Sequence, residues 1–152
     1  MNVPGDRNGP QQGYNAGQYV AKNSFIYGTG FVAALLPASS TSSTFNIDGD
    51  SDFYWQKLNV HAVSADDATT YANELLPEVN IVITNTTTGR QYMNAAIPLA
   101  NIAGTARLPF ILPMVTYFPA KSTIKVEYQN VSDNATYSDL YLSFIGIKAF
   151  LG

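Results

Sequence analysis

The chain predicts an all-β fold, a two-sheet β-sandwich of the jelly-roll kind led by an extended N-terminal arm. Three observations predict it. Apolar and polar residues alternate with a period of two in several short runs, turn-forming residues separate those runs at hairpin spacing, and no stretch makes a convincing helix. The clearest run is in TIKVEYQ, where Ile124, Val126 and Tyr128 fall on one face and Lys125, Glu127 and Gln129 on the other. That pattern is what a strand with one dry and one wet face requires.

Residues 1–23 form the expected arm, and residues 24–152 the expected sandwich domain. Glycines at 5, 9, 13 and 17 and prolines at 4 and 10 leave the arm too few large apolar groups to build a core. Val3, Tyr14, Tyr19 and Val20 are its sizeable anchors, and they are candidate partner-binding residues for an arm that orders on a neighbouring subunit. From Ser24 the chain turns apolar, with short strands expected at Phe25–Tyr27 and Phe31–Leu36, then a Ser/Thr-rich link into Phe45–Ile47. The turn DGDSD precedes a strong strand over Phe53–Val63, whose Trp55 is expected at a sheet edge or interface.

Ser64–Leu76 reads as a helical turn or a long loop. Val79, Ile81 and Ile83 alternate in a strand, NTTTGR turns it, and Gln91–Met93 returns, which makes a hairpin. Residues 94–107 read as an irregular link. The next segment, Leu108–Ala120, is intensely apolar but cut by Pro109, Pro113 and Pro119. Proline donates no backbone hydrogen bond, so this segment is excluded from a sheet centre and is expected to cross over the end of a sheet, into a strand starting near Ser122. The final run, Leu140–Ala149, is apolar on both faces and is expected to be central.

Composition narrows the function classes. The chain has 152 residues, enough for one domain with a real core; 46% are apolar and only 12% charged, about half the usual share. A net charge of −3 with scattered bases argues against nucleic-acid binding. The absence of cysteine excludes disulfides, thiolate chemistry and Cys-based zinc sites. The longest apolar run is too short and too proline-rich to span a bilayer, and no secretory signal is expected in MNVPGDRNGPQQG, which places synthesis in the cytoplasm.

No enzyme signature is found, and no cofactor is expected. Asp48, Asp50 and Asp52 alternate around Gly49 and are weak metal candidates, but the sixth and twelfth positions of a calcium loop hold Phe53 and Asn59 instead of glycine and glutamate. An acidic turn capping the following strand explains them better. His61, the single histidine, lies in a strand with no nucleophile elbow near it. The aromatics Tyr54, Trp55, Tyr71, Tyr92, Tyr117, Tyr137 and Tyr141 could stack sugars or anchor a protein, and the low charge favours protein interfaces.

Four segments, DSDFYWQKL (50–58), NIVITNTTTGRQY (80–92), RLPFILPMVTYFPAKSTIKVEYQN (107–130) and LYLSFIGIKAF (140–150), together resemble small structural proteins of tailed-bacteriophage virions. The resemblance implies a β-sandwich or jelly-roll subunit that coats or cements the capsid, or sits at a vertex, collar or tail. The leading expectation is therefore a non-enzymatic capsid decoration or cement subunit in the virion. It would bind the major capsid protein or other virion proteins and act as a homo-oligomer, a trimer first. A tail, collar or fibre-base subunit and a carbohydrate-binding module are the alternatives.

Overall fold

Alternation, turn chemistry and a few uncharged runs build eleven strands in the computed structural model, which describes residues 19–64 and 77–152. In chain order they are β1 (Tyr19–Gly28), β2 (Val32–Leu35), β3 (Ser40–Asn46), β4 (Ser51–His61), β5 (Val79–Asn85), β6 (Arg90–Gln91), β7 (Ile97–Pro98), β8 (Ala103–Gly104), β9 (Ile111–Phe118), β10 (Thr123–Asn130) and β11 (Tyr137–Leu151). They form two sheets packed face to face, which is the β-sandwich the sequence predicts.

The five-stranded sheet runs β3-β10-β5-β6, with β7 also on β5. Its centre is β10, and the predicted alternation holds there: Ile124, Val126 and Tyr128 are buried, while Glu127 and Gln129 face solvent. The hairpin from β5 to β6 closes because the Asn85 side-chain oxygen accepts hydrogen bonds from the Thr87 and Thr88 N–H groups, at 3.0 and 3.1 Å. The six-stranded sheet runs β1-β11-β4-β8, with β2 on β11 and β9 on β4. The doubly apolar run in β11 lies between β1 and β4, a central place as expected.

Between the sheets lies an aromatic core of Tyr27, Phe45, Phe53, Trp55, Phe118 and Phe144. Burying each such side chain contributes roughly 1.5–3 kcal/mol. Trp55 corrects an expectation. It is 2% exposed and stacks on Phe118 at 5.8 Å, and its indole N–H donates to the Lys57 carbonyl at 2.8 Å. β4 is not an edge strand, and a bulge places Gln56 as an extra residue opposite β11. The bulge resets the period: Phe53 and Trp55 face inward before it, Leu58 and Val60 after it. Trp55 is therefore core and has no surface to offer a partner.

Other boundaries also move. β1 begins at Tyr19, so Tyr19 and Val20 belong to the sheet rather than to a free arm, because Tyr19 pairs with Leu151 and Ala21 with Phe150 of β11. The Ser/Thr-rich link is β3, which flanks β10 and turns Phe45 into the core. Residues 94–107 contain β7, a 3-10 turn at Leu99–Asn101 and β8. Val3 and Tyr14, and the 65–76 segment with Tyr71, lie outside the described residues. Tyr137 is buried and its hydroxyl accepts from the Glu78 N–H at 2.9 Å.

Candidate functional site

The two outer faces differ in chemistry. The outer side of the five-stranded sheet is tiled with Ser, Thr, Asn and Gln. A shallow groove there is lined by Ser40, Ser42, Asn80, Val82, Glu127 and Gln129 among others. Glu127 is the one carboxylate among its described lining residues, and it is paired with Lys125 at 3.1 Å. The six-stranded sheet instead ends in an uncharged apolar edge, and this edge is the candidate site.

β9 is built by what its sequence lacks. Pro113 lies within it and has no backbone N–H to donate, which suits an edge position. Among the described residues β9 pairs with β4 alone, so its other backbone edge is open. Leu112 and Phe118 turn toward the core, and the remaining apolar side chains do not. Leu108 is 81% exposed, Met114 80% and Ile111 66%, with Phe110, Val115 and Tyr117 also exposed. This corrects the expectation of a crossing over the sheet end: the segment extends along the sheet edge, because only one side of its backbone has to be paired.

The approach to β9 is fixed by a tight turn. The Thr105 N–H donates to the Leu108 carbonyl at 3.1 Å, and the Leu108 N–H donates to the Thr105 hydroxyl at 3.1 Å. A Cβ on Gly104 would lie 2.4 Å from the Leu108 carbonyl oxygen and 2.6 Å from the Phe110 nitrogen, so only glycine admits this return.

At its other end β9 joins a tyrosine cluster. The Tyr54 and Tyr117 rings lie 5.4 Å apart, and Tyr19 meets Tyr54 edge-on at 6.2 Å. The Tyr19 hydroxyl donates to the buried Asp52 carboxylate at 2.9 Å and lies 2.7 Å from the Tyr54 hydroxyl. The other Asp52 oxygen accepts the Ala120 N–H at 2.8 Å. Asp52 thus ties the start of β1 to β4 and to the exit from β9. Burial first, then the bonds to Tyr54 and Asp52, drive the Tyr19 phenol far above its ordinary pKa. Burial, then the Asp52 charge, pushes Tyr117 up to about 12. Replacing Asp52 by alanine leaves the half-buried Ala120 N–H without its acceptor and takes from the Tyr19 phenol one of its two partners. It is expected to cost about 2–3 kcal/mol in urea unfolding, against about 1–2 kcal/mol for Tyr19→Phe, which removes the hydroxyl shared between Asp52 and Tyr54.

The three aspartates do not converge. Asp48 pairs with Lys148, whose ammonium also lies 3.9 Å from the centre of the Phe25 ring. Asp50 accepts from the Ser51 hydroxyl at 3.1 Å, and Asp52 serves Tyr19 and Ala120. No group of three or more metal-ligating side chains is gathered among the described residues. His61 is the exposed last residue of β4, near the ring of Phe31. Of the predicted anchors, Tyr19 is committed to the cluster, and Val20, 72% exposed, stays on the surface. Sequence reasoning missed Leu108, Ile111, Met114, Val115 and Tyr117 as site residues. The signal was present: an uncharged run from Leu108 to Ala120 with prolines spaced as on an edge strand.

No protein-family profile, curated protein or solved structure matches this chain.

Proposed function

We propose that this chain is a non-enzymatic structural subunit of a tailed-phage virion, a decoration or cement protein that stabilises the head by packing protein against protein. The observation that supports an assembly role best is the uncharged apolar edge from Leu108 to Tyr117. Isolated soluble proteins seldom leave so much contiguous apolar surface in water. The setting rests on the resemblance of the four segments to phage structural proteins. The subunit synthesised in the host cytoplasm is carried on the virion, where it contacts the major capsid protein. Residues 1–18 carry Val3 and Tyr14, the anchors proposed for that contact, and repetition over a symmetric shell multiplies weak contacts into firm attachment.

The test is co-sedimentation of the purified chain with undecorated heads of the same phage. Stoichiometric binding is expected. The informative truncation stops at Gln18, because Tyr19 belongs to β1. The protein lacking residues 1–18 should unfold at an unchanged urea midpoint and no longer sediment with heads. Full occupancy by the truncated protein would remove the arm from the proposal, and failure of the intact chain to bind heads would end the capsid reading.

A further inference from the structure

We propose that the β9 edge joins two copies of this chain, edge to edge about a two-fold axis, so that the six-stranded sheets continue from one copy into the other. The inference rests on the assembly role proposed above and names the partner of its apolar edge. Three observations lead to it. First, the backbone edge is open. Among the described residues β9 pairs with β4 only, at Thr116–Phe118 and, past a register shift that leaves residues 112–115 out of the ladder, at Ile111. None of Met114–Phe118 is a proline, so those N–H groups of the stretch that point away from β4 can pair with another strand.

Second, the surface is self-compatible. At a two-fold axis each side chain meets the same patch of the partner, so any charge meets its like. From Leu108 to Ala120 there is no charged residue at all. A partner recognised by charge would leave a complementary charge here, and none is present in this run.

Third, the area is sufficient. Leu108, Phe110, Ile111, Met114, Val115 and Tyr117 are each between 39% and 81% exposed. Together they put several hundred Å² of apolar surface in water, the order of one side of a standard interface at ~800 Å² per partner. The chain's own segments outside the described residues suit this ridge less well. Residues 1–18 hold only Met1, Val3 and Tyr14 as large apolar groups, and residues 65–76 accompany Tyr71, Leu75 and Leu76 with the charges of Asp66, Asp67 and Glu74.

Edge-to-edge pairing is isologous and closes at two copies. The ridge therefore favours a dimer, or a larger assembly made of dimers, over the trimer expected from sequence.

Sedimentation equilibrium of the full chain tests this without any capsid. The expected mass is twice the 16.5 kDa of one chain. Leu108→Lys combined with Met114→Lys adds like charges at the two most exposed positions of the ridge, neither of which pairs with β4. It should weaken self-association by roughly a hundredfold or more, because unpaired charges would be buried at the axis, with an unchanged urea midpoint measured at concentrations where both proteins are monomeric. The absence of native cysteine allows a single spin label at Val115→Cys. Neighbouring strands ~4.8 Å apart should then give a short label-to-label distance, on the order of 20 Å.

A monomer at about 100 μM, far above the Kd of a stable interface, overturns the proposal. So does a trimer, or a dimer that survives both lysines, which would mean that the copies join through another face. If the double variant remains dimeric but no longer binds heads, the ridge faces the capsid: this inference falls and the capsid role stands. If the wild-type dimer depends on the ridge but ignores heads, the pairing of copies stands and the capsid role falls.

Discussion

Gly146→Ala is expected to destabilise the domain by more than ~3 kcal/mol, the largest effect of any single methyl added to the described glycines in the sheet core. Gly146 lies in the central strand β11, opposite Trp55 at the point where β4 carries its bulge. A Cβ there would stand 2.0 Å from the Tyr54 carbonyl oxygen, 2.9 Å from its carbon and 2.9 Å from the end of the Phe53 ring. Backbone cannot swing away as a long side chain can, so relief requires β4 to separate from β11. That separation breaks ladder bonds between two strands that supply Phe53 and Trp55 (β4) and Phe144 (β11) to the core, and overpacking of a dense core typically costs about 1–3 kcal/mol before any bond is lost. The measurement is a urea midpoint with near-ultraviolet circular dichroism as the probe. A variant within ~1 kcal/mol of the parent would show that the bulge slides to make room, and that the close approach of Gly146 does not hold Trp55 in the core.

The same bulge marks where the sequence stops being legible. β10 could be read directly, since Ile124, Val126 and Tyr128 keep a strict period and all three are buried. β4 could be recognised as a strand but not assigned its inner face, because the extra residue at Gln56 shifts the period midway. The determinant is the close approach of Gly146 on a distant strand, and no local pattern around Trp55 encodes that. A strict period through Trp55 therefore predicts the wrong surroundings for the chain's largest side chain.

Edge strands escape sequence reading for a different reason. Period and hydrophobicity identify strands that bury one face, whereas β3 and β9 are held mainly by pairing on one side. The Ser/Thr run of β3 has the composition of a link, yet Ser40–Asn46 pair with Thr123–Gln129 residue by residue, and only Phe45 faces firmly inward. The prolines around β9 exclude a central strand correctly, and an edge strand is the remaining possibility. The Tyr19 anchor shows the converse. Its aromatic character is evident, but its hydrogen bond to Asp52 depends on the fold, which brings β1 beside β4 through β11. The candidate site is thus legible as composition, an uncharged apolar run. Its exposure follows from the topology.

Stability should hold level from neutral pH to about pH 9 and then fall steeply above about pH 10. Five phenols are held above their ordinary pKa: Tyr19, Tyr27, Tyr92, Tyr117 and Tyr128. Burial is the leading cause in each, because a tyrosinate would lose its hydration between the sheets or within the cluster. Lys148 moves the same way for a composite reason. Burial lowers its pKa, but the bond to Asp48 and the neighbouring Tyr27 and acidic groups raise it more. For all six groups the folded state binds the proton more tightly than the unfolded chain does. Their contribution is therefore complete below the unfolded values, about 10.0 for Tyr and about 10.4 for Lys, and is lost as pH rises through the raised folded values. Tyr117, at about 12, places the loss of its own share between about pH 10 and 12. Urea midpoints measured across that range, with tyrosinate absorbance followed on the same samples, give the check. Tyrosinate absorbance from these phenols should rise together with the loss of near-ultraviolet ellipticity, since they ionise when the sandwich opens. If every tyrosine instead titrates near pH 10 with the fold intact, the phenols are not held by burial, and neither the Tyr19–Asp52–Tyr54 tie nor the buried Tyr128 contributes as described.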